Sequence, residues 1–292
     1  MNITKYNVAG IMVVYNFPPS SVKEKLQAHL SQLSKIYVID NSDIRADSLQ
    51  INNICREFED CVYIGLNGNR GIAEALNIGC NAANNDGYSW VLTLDQDSTL
   101  PDAMLINYLT YINQLGNEDL KKIGMLTCRM STWIEPYRKL IEDVNLCWTS
   151  GSLMNLQVFK EVDGFESKLF IDGVDFDICA KIILKGYRII RMNNIVLDHQ
   201  LGNTKVIKLF GRKVCYVTNH APIRRYYMTR NNLYLNDKYG DKIKELKINS
   251  LSKIVKFTKI ILFEKDKIRK IRAIREGAGD YRKQKFGKKA NL

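Results

Sequence analysis

The stretch VLTLDQDSTLP, residues 91–101, joins an apolar run to two acidic residues, Asp95 and Asp97, with one residue between them. The apolar half is typical of a buried β-strand, and carboxylates are costly to leave beside a core without a partner. Two kinds of partner suit such a pair. The acids could hold a divalent metal ion on a nucleotide sugar, or Asp95 could be a nucleophile that accepts a phosphoryl group.

Three similar apolar runs precede this strand, and they begin at residues 8, 35 and 61. The segments between them can form helices, so the alternation predicts an α/β fold with a mainly parallel sheet flanked by helices. In such sheets ligands bind beyond the carboxyl ends of the strands. Polar residues follow every predicted strand: Tyr15, Asn16, Asp40, Asn41, residues 67–71, Asp95 and Asp97. Residues 131–165 are predicted as loop and short elements.

The composition is that of a globular protein that works in a reducing compartment. With 292 residues and 46% hydrophobic side chains the chain can bury one large core or two small ones. Its seven cysteines are scattered and odd in number, which argues against a disulfide framework and a zinc ribbon. No apolar run reaches the roughly 18 residues that a membrane-spanning helix needs. We interpret the N-terminus as the first strand and not as a signal peptide.

Positive charge is concentrated near the C-terminus. Residues 241–292 contain 17 Lys and Arg against 6 Asp and Glu, a net of +11 within a total of +12. Residues 1–235 are therefore predicted as the main domain, and residues 236–292 as a basic amphipathic helical region with a flexible tail from about 276. The proposed helical face carries Leu251, Ile254, Val255 and Leu262 beside Lys253, Lys256 and Lys259.

A basic amphipathic helix of this kind favours an anionic membrane surface, reached through residues 247–292. Nucleic acid is a weaker interpretation, because aromatic residues are sparse there and the main domain lacks a basic groove. A role of the helix in a homo-oligomer stays open.

The acid motif by itself matches the D-x-D-x-T opening of haloacid dehalogenase-like phosphatases. In such a phosphatase Asp95 would be the nucleophile, with Mg²⁺ as its companion. Those enzymes usually carry the motif on their first core strand, whereas three strand–helix units precede it here. The phosphatase therefore remains only an alternative.

The full order of motifs resembles the inverting glycosyltransferases of family 2, which have the GT-A fold, a Rossmann-like nucleotide-diphospho-sugar transferase fold. It is closest to their rhamnosyltransferase-like group, over residues from about 8 to 235. The matching segments are VAGIMVVYN (8–16), VIDNSD (38–43), NGNRGIAEALNIG (67–79), LTLDQDS (92–98), TSGSLMNLQVFKEVDGFESKLFIDGVDFDICAK (149–181), LDHQLGNT (197–204) and RRYYMTRNNLYL (224–235). The wider family usually has Glu-Asp where this chain has Val174-Asp175, and the subgroup commonly shows the F-I-D-x-V-D form.

The resemblance implies a role for each of these segments. Asp175 would be the base that takes the acceptor proton, with Asp172 supporting or replacing it, because inverting transfer needs one base opposite the leaving group. The nucleotide-sugar contacts would be Tyr15, Asn16, Asp40, Asn41, Arg70, Asn77, Asp95 and Gln96. The ligands of Mg²⁺ or Mn²⁺ would be Asp97, Asp95 and His199. Contacts to the acceptor or the diphosphate would be Ser150, Gly151, Arg225, Arg230 and Asn231.

The same resemblance implies the substrates. The enzyme would transfer L-rhamnose from dTDP-β-L-rhamnose to a saccharide acceptor. That acceptor would be linked to a lipid, as in O-antigen or capsule assembly. It would work in the cytoplasm, peripherally at the inner face of the cell membrane. A UDP-hexose donor on the same fold is the alternative within this class.

Overall fold

The computed structural model describes residues 2–131, 137–198, 205–209, 212–249 and 258–290. The chain divides into two compact units. The first comprises Met1–Ser167 and Val174–His199, and the second comprises Lys168–Gly173 and Gln200–Leu292.

The first unit is built on one eight-stranded sheet, counted over the described residues. Its strands are β1 (Val8–Val14), β2 (Ile36–Asp40), β3 (Cys61–Gly65), β4 (Trp90–Asp95), β5 (Ile123–Met130), β6 (Ile141–Asp143), β7 (Ser152–Asn155) and β8 (Arg188–Leu197). Their order across the sheet is β3-β2-β1-β4-β7-β5-β8-β6. Strands β1 to β4 are mutually parallel and β5 is parallel to β8, whereas β6 and β7 run antiparallel to their neighbours.

Helices flank this sheet, as the alternating pattern predicts. They are α1 (Pro19–Leu30), α2 (Arg45–Cys55), α3 (Ile72–Asn85), α4 (Met104–Gln114), α5 (Asn117–Lys121), α6 (Leu156–Glu161) and α7 (Val174–Leu184). The predicted fold class, an α/β fold with a mainly parallel sheet, is therefore confirmed.

The core explains why the first strands are so apolar. Every residue of β1 and β2 is buried, because helices cover the parallel part of the sheet. The cysteines whose side chains are described are Cys55, Cys61, Cys80, Cys128, Cys147 and Cys179, and these form no disulfide.

The second unit contains a two-stranded hairpin and two packed helices. Strands β9 (Lys205–Leu209) and β10 (Arg212–Val217) pair antiparallel, and α8 (Pro222–Tyr239) packs against α9 (Lys267–Arg282). Residues 258–263 are also helical. The predicted helical face around Leu251, Ile254 and Val255 lies outside the described residues.

The C-terminal stretch from residue 276 differs from the predicted flexible tail. Helix α9 continues to Arg282, and beyond it the main-chain N–H of Gly287 donates to the Lys168 carbonyl at 2.8 Å. A Cβ at Gly277 would lie 2.5 Å from the Tyr226 carbonyl, so glycine at this position lets α9 approach α8 closely. A glycine that composition assigns to disorder therefore serves helix packing.

Within the described part of the chain, we find no helix that combines the length and the apolar character needed to cross a bilayer.

Candidate active site

The parallel strands bring Asp97 and most of the predicted nucleotide-sugar residues to one edge of the sheet, where the carboxyl ends of the strands lie. In the observed register Val14 pairs with Asp40, Asp40 with Gly65, and Val13 with Asp95. Since adjacent strands are about 4.8 Å apart, the polar residues that follow β1, β2, β3 and β4 lie side by side. This is the edge at which α/β sheets bind their ligands.

At the end of β1, Tyr15 and Asn16 are exposed and are tied to the loop after β2. The Tyr15 hydroxyl donates to Asp43 Oδ2 at 3.2 Å, and Asn16 Oδ1 accepts the Asp43 main-chain N–H at 3.1 Å. The Asn16 N–H donates to Ser42 Oγ at 2.8 Å. Asp43 was not among the predicted site residues, although it closes the DNSD motif that contains Asp40.

Asp40 is a buried carboxylate at the end of β2, only 1% exposed. It accepts the Ser42 main-chain N–H at 3.0 Å and the Tyr63 hydroxyl at 2.8 Å. Burial, together with this hydrogen bond, raises the pKa of Tyr63, so the phenol stays protonated and remains a donor. Both carboxyl oxygens of Asp40 are thus hydrogen-bonded, as a buried polar group requires.

The loop between β3 and α3 is shaped by asparagine side chains. Asn41 Oδ1 accepts the Arg70 main-chain N–H at 2.7 Å, and Asn41 Nδ2 donates to Asn69 Oδ1 at 3.2 Å. The guanidinium of Arg70 is exposed, and its Nε donates to the Leu66 carbonyl at 3.0 Å. Arg70 is therefore placed at the same edge, with its charge available to solvent.

The two acids at the end of β4 lie in a tight turn, residues 95–98, which we call the acid turn. The Ser98 N–H donates to the Asp95 carbonyl at 3.2 Å, the bond that closes a four-residue β-turn. Gln96 Oε1 accepts the Tyr15 N–H at 2.7 Å, which joins the turn to the end of β1. The side chain of Asp97 is exposed, and Asp95 is half-buried.

Strand β7 brings Ser150 and Gly151 beside the acid turn. Ser150 Oγ accepts the Asp95 N–H at 3.3 Å and lies 3.2 Å from Ser98 Oγ. Gly151 has a φ of +71° and donates its N–H to the Thr93 carbonyl at 2.7 Å. A residue with a side chain would be strained in that conformation, which explains the glycine.

Asp175 lies in the first turn of α7 and is half-buried. Its Oδ1 accepts two hydrogen bonds from Thr149, from the main-chain N–H at 3.1 Å and from the hydroxyl at 2.5 Å. The Thr149 carbonyl in turn accepts a hydrogen bond from the Thr93 hydroxyl of β4. Adjacent residues, Thr149 and Ser150, therefore contact the candidate base and the acid turn. Sequence analysis missed Thr149, although it begins the quoted TSGS segment.

Asn77 holds the chain that leads towards α7. Its Nδ2 donates to the Phe165 carbonyl at 2.9 Å, and its Oδ1 accepts the Phe165 N–H at 2.8 Å. Gly164 has a φ of +55°, and a Cβ there would lie 2.7 Å from Asn77 Oδ1. Asn77 thus organises the segment before the candidate base.

Four predicted site residues, Asp172, Arg225, Arg230 and Asn231, belong to the second unit. The guanidinium of Arg224 donates twice to Asp172, at 2.7 Å to Oδ2 and 2.5 Å to Oδ1. Arg225 donates to Glu264, a buried carboxylate.

Arg230 and Asn231 are almost fully buried, each 1% exposed. Arg230 Nη2 donates to the Leu169 carbonyl at 3.0 Å and Nη1 to the Gly287 carbonyl at 2.9 Å. Asn231 Nδ2 lies within 2.9 Å of three carbonyls, those of Leu169, Ile171 and Asp172. In the structure these two side chains therefore hold the main chain of residues 169–172.

The donor set of the acid turn fits a divalent cation that is completed by substrate. Over the ranges that the structure describes, no three His, Cys, Asp or Glu side chains form a metal site by themselves. The predicted third ligand, His199, lies outside the described residues. Mg²⁺ is commonly bound through one or two carboxylates together with water and substrate phosphates, which is what Asp95 and Asp97 can offer.

Comparison with known proteins agrees with this geometry. Residues 11–120 match the family described as Glycosyl transferase family 2. The chain is 24% identical over 246 residues to the dTDP-rhamnosyl transferase RfbF of Shigella flexneri. The aligned region covers 78% of this chain and 79% of that protein.

Two solved structures share the fold. One is the mannosyltransferase PcManGT from Pyrobaculum calidifontis in complex with GDP-Man and Mn²⁺. The match covers 96% of this chain and 88% of the PcManGT chain, at a TM-score of 0.60 and 13% identity. GalNAc-T7 with UDP, GalNAc and Mn²⁺ matches 80% of this chain at a TM-score of 0.57 and 12% identity, and the match spans 49% of its length, about half.

The chain is a glycosyltransferase with the GT-A fold, and its residues 11–120 match the glycosyl transferase family 2 model.

Proposed function

We propose that the protein transfers L-rhamnose, with inversion, from dTDP-β-L-rhamnose to a saccharide acceptor that is lipid-linked in O-antigen or capsule assembly. The observation that carries the proposal is the hydrogen-bonded link in which Thr149 holds Asp175 while Ser150 holds the acid turn. Such a link suits an enzyme that must keep a base and a diphosphate site in fixed register. The choice of donor rests on the name of the Shigella flexneri relative.

In the proposed step an acceptor hydroxyl oxygen attacks the anomeric carbon of rhamnose. The bond between that carbon and the diphosphate oxygen breaks, its electron pair leaves with dTDP, and the hydroxyl proton passes to Asp175. Both bonds from Thr149 end on Oδ1, so we assign the proton to Oδ2. Asp175 then acts as the general base on the face opposite the leaving group, as inversion requires.

Asp95 and Asp97 would hold the diphosphate end of the donor through a divalent ion. When bound, that ion offsets negative charge on the leaving diphosphate. Tyr15, Asn16, Asp40 and Asn41 would surround the nucleoside, and Arg70 would add a positive charge beside it. We assign Ser150 and Gly151 to the acceptor side.

The donor assignment predicts a specific order of ligands in a thermal-shift panel. At a concentration of 100 times Kd a ligand stabilises by about 2.7 kcal/mol. For a chain of this size that corresponds to an increase in Tm of roughly 4–5 °C. We expect dTDP-L-rhamnose with Mn²⁺ to give the largest increase, UDP-hexoses a smaller one, and every nucleotide sugar less without Mn²⁺.

Other outcomes would redirect the proposal. A larger shift with a UDP-hexose would replace the donor but keep the class of reaction. No shift with any nucleotide sugar, together with binding of beryllium fluoride at Asp95, would favour the phosphatase mechanism.

We also propose that the basic C-terminal region docks on anionic lipid at the inner face of the cell membrane. Exposed apolar and exposed basic side chains cluster there over a short stretch of the second unit that also carries one exposed acid, Asp266. They are Ile261, Leu262, Phe263, Lys265, Lys267, Ile268 and Arg269. Each basic group close to an anionic bilayer contributes about 1 kcal/mol, and the apolar side chains can enter the interface.

Leu262→Ser tests this surface, with Leu49→Ser as its control. The two leucines are matched in exposure, 59% for Leu262 and 58% for Leu49, and Leu49 lies on α2 of the other unit. Burial of a leucine contributes about 1.5 kcal/mol or more, so we expect Leu262→Ser to reduce partitioning into phosphatidylserine vesicles about tenfold. Co-sedimentation measures this. Equal binding of both variants would exclude this surface.

A further inference from the structure

Helix α1 and the turn that follows it carry a stripe of three polar side chains, Lys25, His29 and Gln32, that faces the segment after β4. The spacing of four residues places Lys25 and His29 on one helical face. Gln32 follows two residues beyond the end of α1. Their contacts fall on consecutive parts of residues 97–105, the acid turn and the start of α4. Sequence analysis assigned no functional role to any of the three.

Lys25 makes the contacts closest to the acids. Its Nζ donates to the Asp97 main-chain carbonyl at 3.1 Å and to Thr99 Oγ1 at 2.6 Å. The Lys25 ammonium thus fixes the main chain at Asp97 through its carbonyl. The Asp97 side chain remains exposed.

One turn further along the helix, His29 is fully buried, and the Ser98 main chain lies against its ring. Burial, with a smaller contribution from the charge of Lys25, lowers the pKa of His29 to about 4. His29 is therefore neutral at pH 7, so it fills the space beneath the acid turn without adding a second positive charge.

Gln32 completes the stripe. Its Nε2 donates to the Pro101 carbonyl at 2.9 Å, and its Oε1 accepts the Leu105 N–H at 3.1 Å. Leu105 lies in the first turn of α4, where main-chain N–H groups have no partner within the helix. Gln32 therefore fixes the chain that leaves the acid turn.

We infer that Lys25 is a positioning residue of the acid turn, which sets the main-chain conformation in which Asp95 and Asp97 bind a divalent cation. This inference rests on the proposed function of the turn as a metal–diphosphate site. The alternative is a purely electrostatic effect, and it has the opposite sign. A positive charge near a dication repels it, so its removal would tighten metal binding, whereas loss of a positioning contact weakens it.

The test compares Lys25→Met with Lys23→Met. Lys23 lies on the same helix and pairs with Glu57 at 2.5 Å, so the control removes the same charge without touching the acid turn. Electron paramagnetic resonance measures the Kd of Mn²⁺ in the presence of dTDP. We expect Lys25→Met to raise this Kd about tenfold, the lower end of the effect of groups that orient metal ligands.

Further readouts separate positioning from a loss of fold. We expect the Tm of Lys25→Met to match that of Lys23→Met, kcat at saturating Mn²⁺ to approach that of the unmodified protein, and Lys25→Arg to recover most of the affinity. An unchanged or lower Kd for Mn²⁺ in Lys25→Met would overturn the inference about Lys25 and leave the proposed function of the turn intact. If the unmodified protein binds no Mn²⁺ with dTDP, the proposed function of the turn fails and the inference fails with it.

Discussion

Asp175→Asn is expected to lower kcat by roughly 10³-fold, within the range that general bases contribute, and to leave the Kd for a dTDP-sugar unchanged. Asparagine preserves the shape of the side chain and can still accept both hydrogen bonds from Thr149, so α7 should keep its position. Asparagine carries an amide NH₂ group where aspartate has Oδ2, so it cannot take the acceptor proton there. Single-turnover kinetics with dTDP-L-rhamnose, combined with calorimetry of donor binding, separates the two effects.

Asp172→Asn is the informative comparison, because Asp172 was the alternative base. Its two carboxylate oxygens accept hydrogen bonds from Arg224, so we expect the loss in kcat to be much smaller than for Asp175→Asn. If Asp172→Asn proves the more damaging change, the two residues exchange roles. Thr149→Val should fall between them, since it removes the hydroxyl donor and keeps the main-chain one.

Asp97→Ala is expected to abolish the Mn²⁺ dependence of dTDP binding. Loss of a group that merely orients a metal ligand costs 10–100-fold in affinity, so removal of the ligand itself should weaken Mn²⁺ binding by about 100-fold or more. Titration of Mn²⁺ into the dTDP complex gives this Kd directly.

Asp102→Ala controls for the loss of one negative charge in the same segment, because Asp102 is exposed and lies five residues after Asp97. We expect it to bind Mn²⁺ and dTDP as the unmodified protein does. Retention of Mn²⁺-dependent binding by Asp97→Ala would contradict the assignment of the acid turn.

The parallel half of the sheet could be predicted from sequence with small errors at the ends. The apolar runs that begin at residues 8, 35, 61 and 89 became strands that begin at residues 8, 36, 61 and 90. These strands are covered by helices, so their sequences are continuous apolar runs, and such runs are easy to recognise.

The central antiparallel strand β7 was not predicted. It has four residues, Ser152–Asn155, lies between β4 and β5, and falls in a region predicted as loop and short elements. So short a run carries no periodicity, and its pairing with β4 connects residues about sixty positions apart. This pairing brings Ser150 and Thr149 beside the acid turn, and thereby connects Asp175 to it.

The sequence by itself determined the fold class, the strand ends and the residue types gathered there. Local patterns suffice for this, because burial on both faces makes strands apolar, and the chain turns polar where a parallel strand leaves the core. Only the tertiary structure decided which side chains support the acids. Thr149 on the β7 side and Lys25 on α1 act through contacts made across the fold, and Gly277 is explained by a close approach of two helices. Such contacts depend on distances between segments far apart in the chain, which no local pattern encodes.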